Sequence, residues 1–277
     1  TMGGALASIV WGYLNDRRGP RAVLRGGSAL VTVTATLAIC VPAVALGLKG
    51  LLPGMADALP SLFAVVFFAG CNFRCPFCQN ASLISMKSGK AVDMEFLLER
   101  IRVNKFLLDA VCITGGEPTL QAKGLIELCR LIKAEGLLTS LDTNGSMPVV
   151  VETLVSKGLL DRVAIDLKAP LKPDVYGRVI GLSHSEDVLK KILKTLETLS
   201  EANIIVEVRT TVVPGMLDWT KAVKEIAELI LSYGFTYSLQ QFDPSGDLLD
   251  PSYKSIPSPS RNRLLELARI AVDEGVR

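Results

Sequence analysis

Cysteine is scarce, with six residues in 277, and three of them fall within eight positions. That number and that clustering exclude a disulfide scaffold and point instead to a metal in a reducing compartment. Excess charge is lacking too. The net charge is +2, and residues 1–48 hold Arg17, Arg18, Arg21 and Arg25 against Asp16 alone, so the other 229 residues carry −1. A nearly neutral body has no electrostatic footprint for nucleic acid. Internal repeats and low-complexity tracts are absent. With 49% hydrophobic and 21% charged residues, the chain is not a disordered or collagen-like one. Its length suits one large α/β domain, or a domain with an appendage.

One long run has no charge at all, residues 26–48, GGSALVTVTATLAICVPAVALGL. Such a run is a candidate membrane helix, and the arginines before it would put residues 12–25 in the cytoplasm. The stretch GYLNDRRGPR at 12–21 resembles the cytoplasmic loop between the second and third helices of major facilitator transporters. A transporter needs roughly a dozen helices, so none can be built from this segment. A buried apolar segment is the alternative, because Thr, Gly and Pro42 weaken a helix. Thr1 in place of a Met fits a fragment or a fusion. The expected division is an apolar helical segment, 1–48, ahead of a catalytic domain, 49–277. Cytoplasmic location is expected, with membrane association only through residues 26–48.

After residue 49 the pattern becomes regular. Short apolar runs read as buried parallel strands at Ala64–Phe68, Ala110–Ile113, Leu137–Leu141, Val163–Leu167, Ile204–Val208 and Tyr237–Phe242. Helical faces lie between and after them: Leu125, Leu128 and Ile132; Val188, Ile192 and Leu196; Ala222, Ile226 and Leu229; Leu264, Leu267 and Ala271. Ser183 and Glu186 suggest a capping box, and Gly136, Gly158 and Gly234 suggest helix stops. Residues 243–260 read as a long loop. Six β/α units in sequence predict an α/β fold, a partial (β/α)6 barrel of TIM type, with an open doubly wound sheet as the alternative.

The first strand runs into GCNFRCPFCQN, which carries Cys71, Cys75 and Cys78. Thiolates suit zinc or an iron–sulfur cluster. No fourth ligand is near. Cys112, Cys129 and Cys40 are isolated, and the one histidine, His184, is over a hundred residues away between two serines, as a solvated loop residue would be. A structural zinc closes with four ligands. Three cysteines favour instead a cluster with one iron left open. The spacing CxxxCxxC, with Phe77 before the last cysteine, resembles the signature of the radical S-adenosylmethionine (SAM) superfamily over about residues 49–277. The resemblance implies a [4Fe–4S] cluster on Cys71, Cys75 and Cys78. Its open iron would chelate the amino and carboxylate groups of SAM.

Further motifs sit at successive strand ends. Thr114-Gly115-Gly116-Glu117-Pro118 matches the superfamily's site for the methionine amino group. Leu141-Asp142-Thr143-Asn144-Gly145 follows, then Ala164-Ile165-Asp166-Leu167-Lys168 and Arg209-Thr210-Thr211. An Asp or Lys in an apolar strand must be paired when buried, so an internal Asp–Lys salt bridge is one reading. The resemblance instead puts Asp142, Asp166 and Lys168 at the cofactor, as in glycyl-radical-enzyme activases, where the two aspartates also help hold a monovalent cation. Arg209 would line the same mouth or stand exposed at a strand end. No further cysteine cluster exists, which excludes auxiliary iron–sulfur sites. The run from GCNFRCPFCQN to LQQFDPSGDLLDP looks most like activating proteins of anaerobic ribonucleoside-triphosphate reductases. Pyruvate formate-lyase activating enzymes share the first four motifs but usually carry a histidine where this chain reads Gln240-Gln241-Phe242-Asp243. The segment Leu52–Leu62 also departs, lacking a Ser-x-x-Asp-Tyr-Pro-Gly lead-in. The implied partners are a glycyl radical enzyme, with anaerobic ribonucleotide reductase favoured, and an electron donor such as flavodoxin or ferredoxin. A radical enzyme for a tRNA base or a small metabolite is the competing reading.

Overall fold

Apolar runs with period two and glycine-stopped segments with period 3.6 alternate along the chain, and they fold as strands and helices in turn. The computed structural model describes residues 24–26, 29–31, 33–34, 63–88 and 91–276. Its strands are β1 (Leu24–Gly26), β2 (Ala29–Val31), β3 (Val33–Thr34), β4 (Phe63–Phe68), β5 (Ala110–Gly115), β6 (Leu138–Thr143), β7 (Arg162–Asp166), β8 (Ile205–Val212) and β9 (Thr236–Gln241). Strands β4 to β9 are parallel and lie side by side in chain order, and β3 adds an antiparallel edge against β4. The sheet is open between β3 and β9. This is the partial (β/α)6 arrangement expected, and not a closed barrel.

The helices are α1 (Met94–Asn104), α2 (Ala122–Ala134), α3 (Pro148–Ser156), α4 (Pro173–Ile180), α5 (Glu186–Ser200), α6 (Trp219–Leu231) and α7 (Arg261–Asp273). The four expected apolar faces fall on α2, α5, α6 and α7. On α2, Leu125, Leu128, Cys129 and Ile132 are fully buried, and burial of each large aliphatic side chain contributes about 2 kcal/mol. Helices α1, α3 and α4 were not legible from the pattern. Helix α3 reads PVVVETLVS, whose β-branched run looks like a strand, and α4 has only eight residues with Gly177 inside. Gly136, Gly158 and Gly234 do end helices, each at positive φ.

Three expectations are corrected. Where residues 26–48 are described, at Gly26, Ala29–Val31 and Val33–Thr34, the backbone is strand and not helix. Alternating Val and Thr there favour extended backbone. The rest of that run, and the departure at Leu52–Leu62, lie outside the described residues. Among the described residues no helix is long and apolar enough to cross a membrane. The capping box at Ser183 and Glu186 does not form. Ser185 is the residue at the N-cap of α5, and its hydroxyl donates to the Pro173 carbonyl (2.6 Å) instead of capping the helix. Lys168 lies beyond the end of β7, not inside it.

Alternation along the strands sorts their side chains onto two faces. Val111, Ile113, Leu141, Val163, Ile165, Val206 and Val208 belong to the apolar core. The intervening positions carry Cys112, Ser140, Asp142, Arg162, Asp166, Glu207 and Arg209. Register makes them neighbours, since Ser140 pairs with Arg162 and Asp166 with Arg209. One face of the sheet is therefore a charged surface.

Candidate active site

The cysteine loop begins where β4 ends, at the C-terminal edge of the parallel sheet. In α/β sheets that edge is where ligands bind. Its backbone is held from several directions. Gly70 N–H donates to the Leu83 carbonyl (2.7 Å) and Cys71 N–H to that of Ile84 (3.0 Å). Arg74 N–H donates to the Ile180 carbonyl (2.8 Å) at the end of α4. Gly181, at φ 68°, follows there, and a Cβ on it would collide with the Arg74 backbone. From the other side, Leu249 N–H reaches the Cys78 carbonyl (3.2 Å), Asp250 N–H reaches that of Pro76 (2.9 Å), and the Gln79 amide donates to the Asp243 carbonyl (2.6 Å). The loop after β9 is thus a strap across the cysteine loop. In sequence, residues 243–260 read only as a connection. The acidic, proline-rich run carried no signal of these contacts.

All three cysteines are free thiols. Cys75 is 7% exposed, while Cys71 and Cys78 are half-buried. Burial pushes the Cys71 thiol up to about 11, the Cys75 thiol up to about 12, and Cys78 upward as well. The Lys168 charge pulls all three the other way. These thiols are protonated at neutral pH until a metal displaces their protons. Phe77, in the same loop, is buried in the core.

Glycines 115 and 116 have a structural reason. A Cβ on Gly115 (φ 122°) would strike the Phe68 backbone, and one on Gly116 would strike the Gly70 carbonyl. Gly116 N–H donates to the Phe68 carbonyl (2.8 Å) and Glu117 N–H to that of Gly70 (2.7 Å). The close approach they permit is thus between two strand ends. Glu117 is fully buried. Its carboxylate accepts from Thr119 N–H (3.1 Å), the Thr119 hydroxyl, the Thr143 hydroxyl (2.7 Å) and Asn144 N–H (2.6 Å). Burial raises its pKa, and those donors oppose the rise. The side chain ties the end of β5 to the end of β6. A lone Glu after two glycines in sequence does not reveal this. Asn144 continues the network, donating to Asn72 (2.9 Å), which in turn donates to Ser146 (2.8 Å).

Asp142, Asp166, Lys168 and Arg209 come together on the charged face. Lys168 Nζ lies 2.8 Å from Asp166 Oδ2, so the internal Asp–Lys pair read from the sequence is present. Arg209 reaches Asp166 Oδ1 through Nε (2.9 Å) and Asp142 Oδ2 through a terminal nitrogen (3.1 Å). It is not an exposed strand-end residue. Asp142 Oδ1 is buried without a hydrogen-bond partner, 3.9 Å from Arg162. Arg162 in turn pairs with Glu207. Arg162 and Glu207 carried no motif, and register alone brings them in. His184 is exposed on its loop, and Cys112 lies on the charged face.

Burial alone would raise the Asp166 carboxyl, but Arg209 and Lys168 outweigh it and hold it at about 2, against an ordinary 3.8. A depressed carboxylate contributes stability above its unfolded pKa and loses it as pH falls toward the folded value. Unfolding of the metal-free protein should therefore show an acid loss between about pH 4 and pH 2, worth about 2 kcal/mol. Asp166→Asn should remove that loss. Equal acid sensitivity in both proteins, by urea titration, would disprove the assignment.

A family model described as the radical SAM superfamily matches residues 65–230. The chain belongs to the radical SAM superfamily. A Methanocaldococcus jannaschii protein named for glycyl-radical enzyme activation is 37% identical over 210 residues, which are 75% of this chain and 84% of that protein. The pyruvate formate-lyase 1-activating enzyme of Escherichia coli K12 is 30% identical over 183 residues, 63% of this chain and 71% of that enzyme. Within the superfamily the chain groups with these activating enzymes. The fold is also that of a radical SAM methyltransferase from Sphaerobacter thermophilus, at TM-score 0.63 and 15% identity, over 93% of this chain and 75% of that one. Members of the superfamily use a [4Fe–4S] cluster and SAM. The thiols of this radical SAM enzyme suit the cluster chemically: three soft ligands on one short, braced loop, Cys75 buried and Cys71 and Cys78 half-buried. Among the described residues no three Cys, His, Asp or Glu side chains converge on a single metal ion. One-ion zinc sites need that convergence. Thiolates on separate irons of a cluster do not.

Proposed function

We propose that this radical SAM enzyme activates an anaerobic ribonucleotide reductase by removing a hydrogen atom from a glycine α-carbon of that partner. The observation that carries the choice of partner is at the end of β9. There the chain reads Gln240-Gln241-Phe242-Asp243, a stretch in which formate-lyase activating enzymes usually carry a histidine, and Gln240 accepts a hydrogen bond from the Thr211 hydroxyl (3.2 Å). A pyruvate formate-lyase type of partner is the second reading, supported by the 30% identity to that activating enzyme.

When bound, the cluster and SAM supply an electron and a 5′-deoxyadenosyl radical. The chain's own residues bind, orient and shield. Cys71, Cys75 and Cys78 would hold three irons, leaving the fourth open. Lys168 is a cation on the charged face that would hold the methionine carboxylate, with Arg209 lining the same mouth between Asp142 and Asp166. Asp142 Oδ1, an acceptor with no hydrogen-bond partner, would accept a hydrogen bond from an amino or hydroxyl group. Glu117 would act as a positioning residue, fixing the main chain of Gly115, Gly116, Thr143 and Asn144 around the methionine end. Phe77 would border the cofactor beside Cys78. Residues 49–277 would form the catalytic unit, reduced by a donor of flavodoxin or ferredoxin type. A sheet open at one side suits a substrate that is a backbone loop of a protein.

The test is electron paramagnetic resonance on anaerobic mixtures of reduced enzyme, SAM and each candidate partner. A glycyl doublet on the reductase, lost when its radical glycine is replaced by alanine, is the expected result. A doublet only on a formate-lyase partner would transfer the enzyme to that group. Turnover of a small molecule with no protein radical would overturn the activase reading.

A further inference from the structure

The two aspartates that the family resemblance assigns to a monovalent cation are already joined by a positive group of the chain itself. Arg209 donates to Asp166 at 2.9 Å and to Asp142 at 3.1 Å, one nitrogen to each carboxylate. Lys168 occupies the other oxygen of Asp166 at 2.8 Å. Arg162 stands 3.9 Å from the other oxygen of Asp142 and pairs with Glu207. The face therefore carries Asp142, Asp166 and Glu207 against Arg162, Lys168 and Arg209, and its formal charge is already zero. The bridge is not incidental to a mobile loop. Asp166 and Arg209 are register partners on β7 and β8, and both side chains are largely enclosed, at 22% and 15% exposed. A monovalent ion between the aspartates would have to displace two charge-assisted hydrogen bonds and sit against fixed positive groups. The donor set does not fit it.

We propose that Arg209 is the resident counter-cation of this site, standing between Asp142 and Asp166 in place of a monovalent ion, so that SAM binding needs no potassium or sodium. Guanidinium keeps its charge at any working pH, and it is tethered, so the site is charge-balanced whatever the salt. This inference rests on the proposal that these aspartates border SAM.

Calorimetric titration of the reconstituted holoenzyme with SAM tests it, in choline chloride against potassium or sodium chloride at equal ionic strength. Wild-type affinity should change by less than about twofold, whereas Arg209→Met should lose about tenfold or more in choline and recover most of it in potassium or sodium. Sodium-23 line broadening, read without turnover, should rise above wild type only in Arg209→Met. Arg209→Lys keeps the charge and should stay indifferent to the salt, which preserves the test if the methionine variant fails to fold. A wild-type affinity that rises about tenfold with potassium or sodium would overturn the inference and leave the activase reading standing. An Arg209→Met protein indifferent to both ions would overturn it too. Absence of SAM binding in every salt would overturn both readings.

Discussion

Cys75→Ser is expected to yield a folded chain that no longer assembles a [4Fe–4S] centre. The loop's shape rests on main-chain bonds to Ile180, Leu249 and Asp250, not on the Cys75 side chain. Serine keeps the volume nearly unchanged but removes the soft ligand. Anaerobic reconstitution should leave iron and sulfide at background, with the charge-transfer absorption gone and no 5′-deoxyadenosine formed from SAM. Far-ultraviolet circular dichroism should match wild type. Cys112→Ser is the internal control, since Cys112 sits in β5 and not in the cysteine loop. A cluster retained by Cys75→Ser, or lost from Cys112→Ser, would show that the ligands lie elsewhere.

Glu117→Ala should have the largest effect on stability. Its carboxylate is the shared acceptor of four donors from Thr119, Thr143 and Asn144, all inside the protein. Truncation strands those donors in a dry site, at a cost of about 3–5 kcal/mol. Glu117→Gln should lose less. Its carbonyl can keep the threonine hydroxyls, but its amide then faces the Asn144 N–H, donor against donor. Urea unfolding of the metal-free protein measures both. A loss below about 1 kcal/mol for the alanine variant would mean that water replaces the carboxylate. The role of Glu117 would then lie with the ligand rather than with the joint between β5 and β6.

Much of this was legible in the chain. The six strands were readable because each is a short apolar run whose period is local. The cysteine loop was readable because the three thiols are neighbours in sequence. Helix α3 was not, since Val149, Val150 and Val151 have strand propensity, and burial of Val150, Val151 and Leu154 in the core beside α5 overrides it. The capping box at Ser183 failed for a similar reason, because tertiary contact with Pro173 engages the neighbouring Ser185.

By itself the sequence determined the order of the six parallel strands and of helices α2, α5, α6 and α7, the spacing of Cys71, Cys75 and Cys78, and the presence of polar residues at strand ends. Those are properties of adjacent residues, carried by covalent spacing and hydrophobic period. Only the tertiary structure decided what the polar residues meet. Arg209 is 43 positions from Asp166 and 67 from Asp142, and Gln79 is 164 from Asp243. Parallel register and the strap after β9 bring them together. A guanidinium that could have faced solvent is thereby made a bridge, because a charge buried on that face is stable only where its partners are also held.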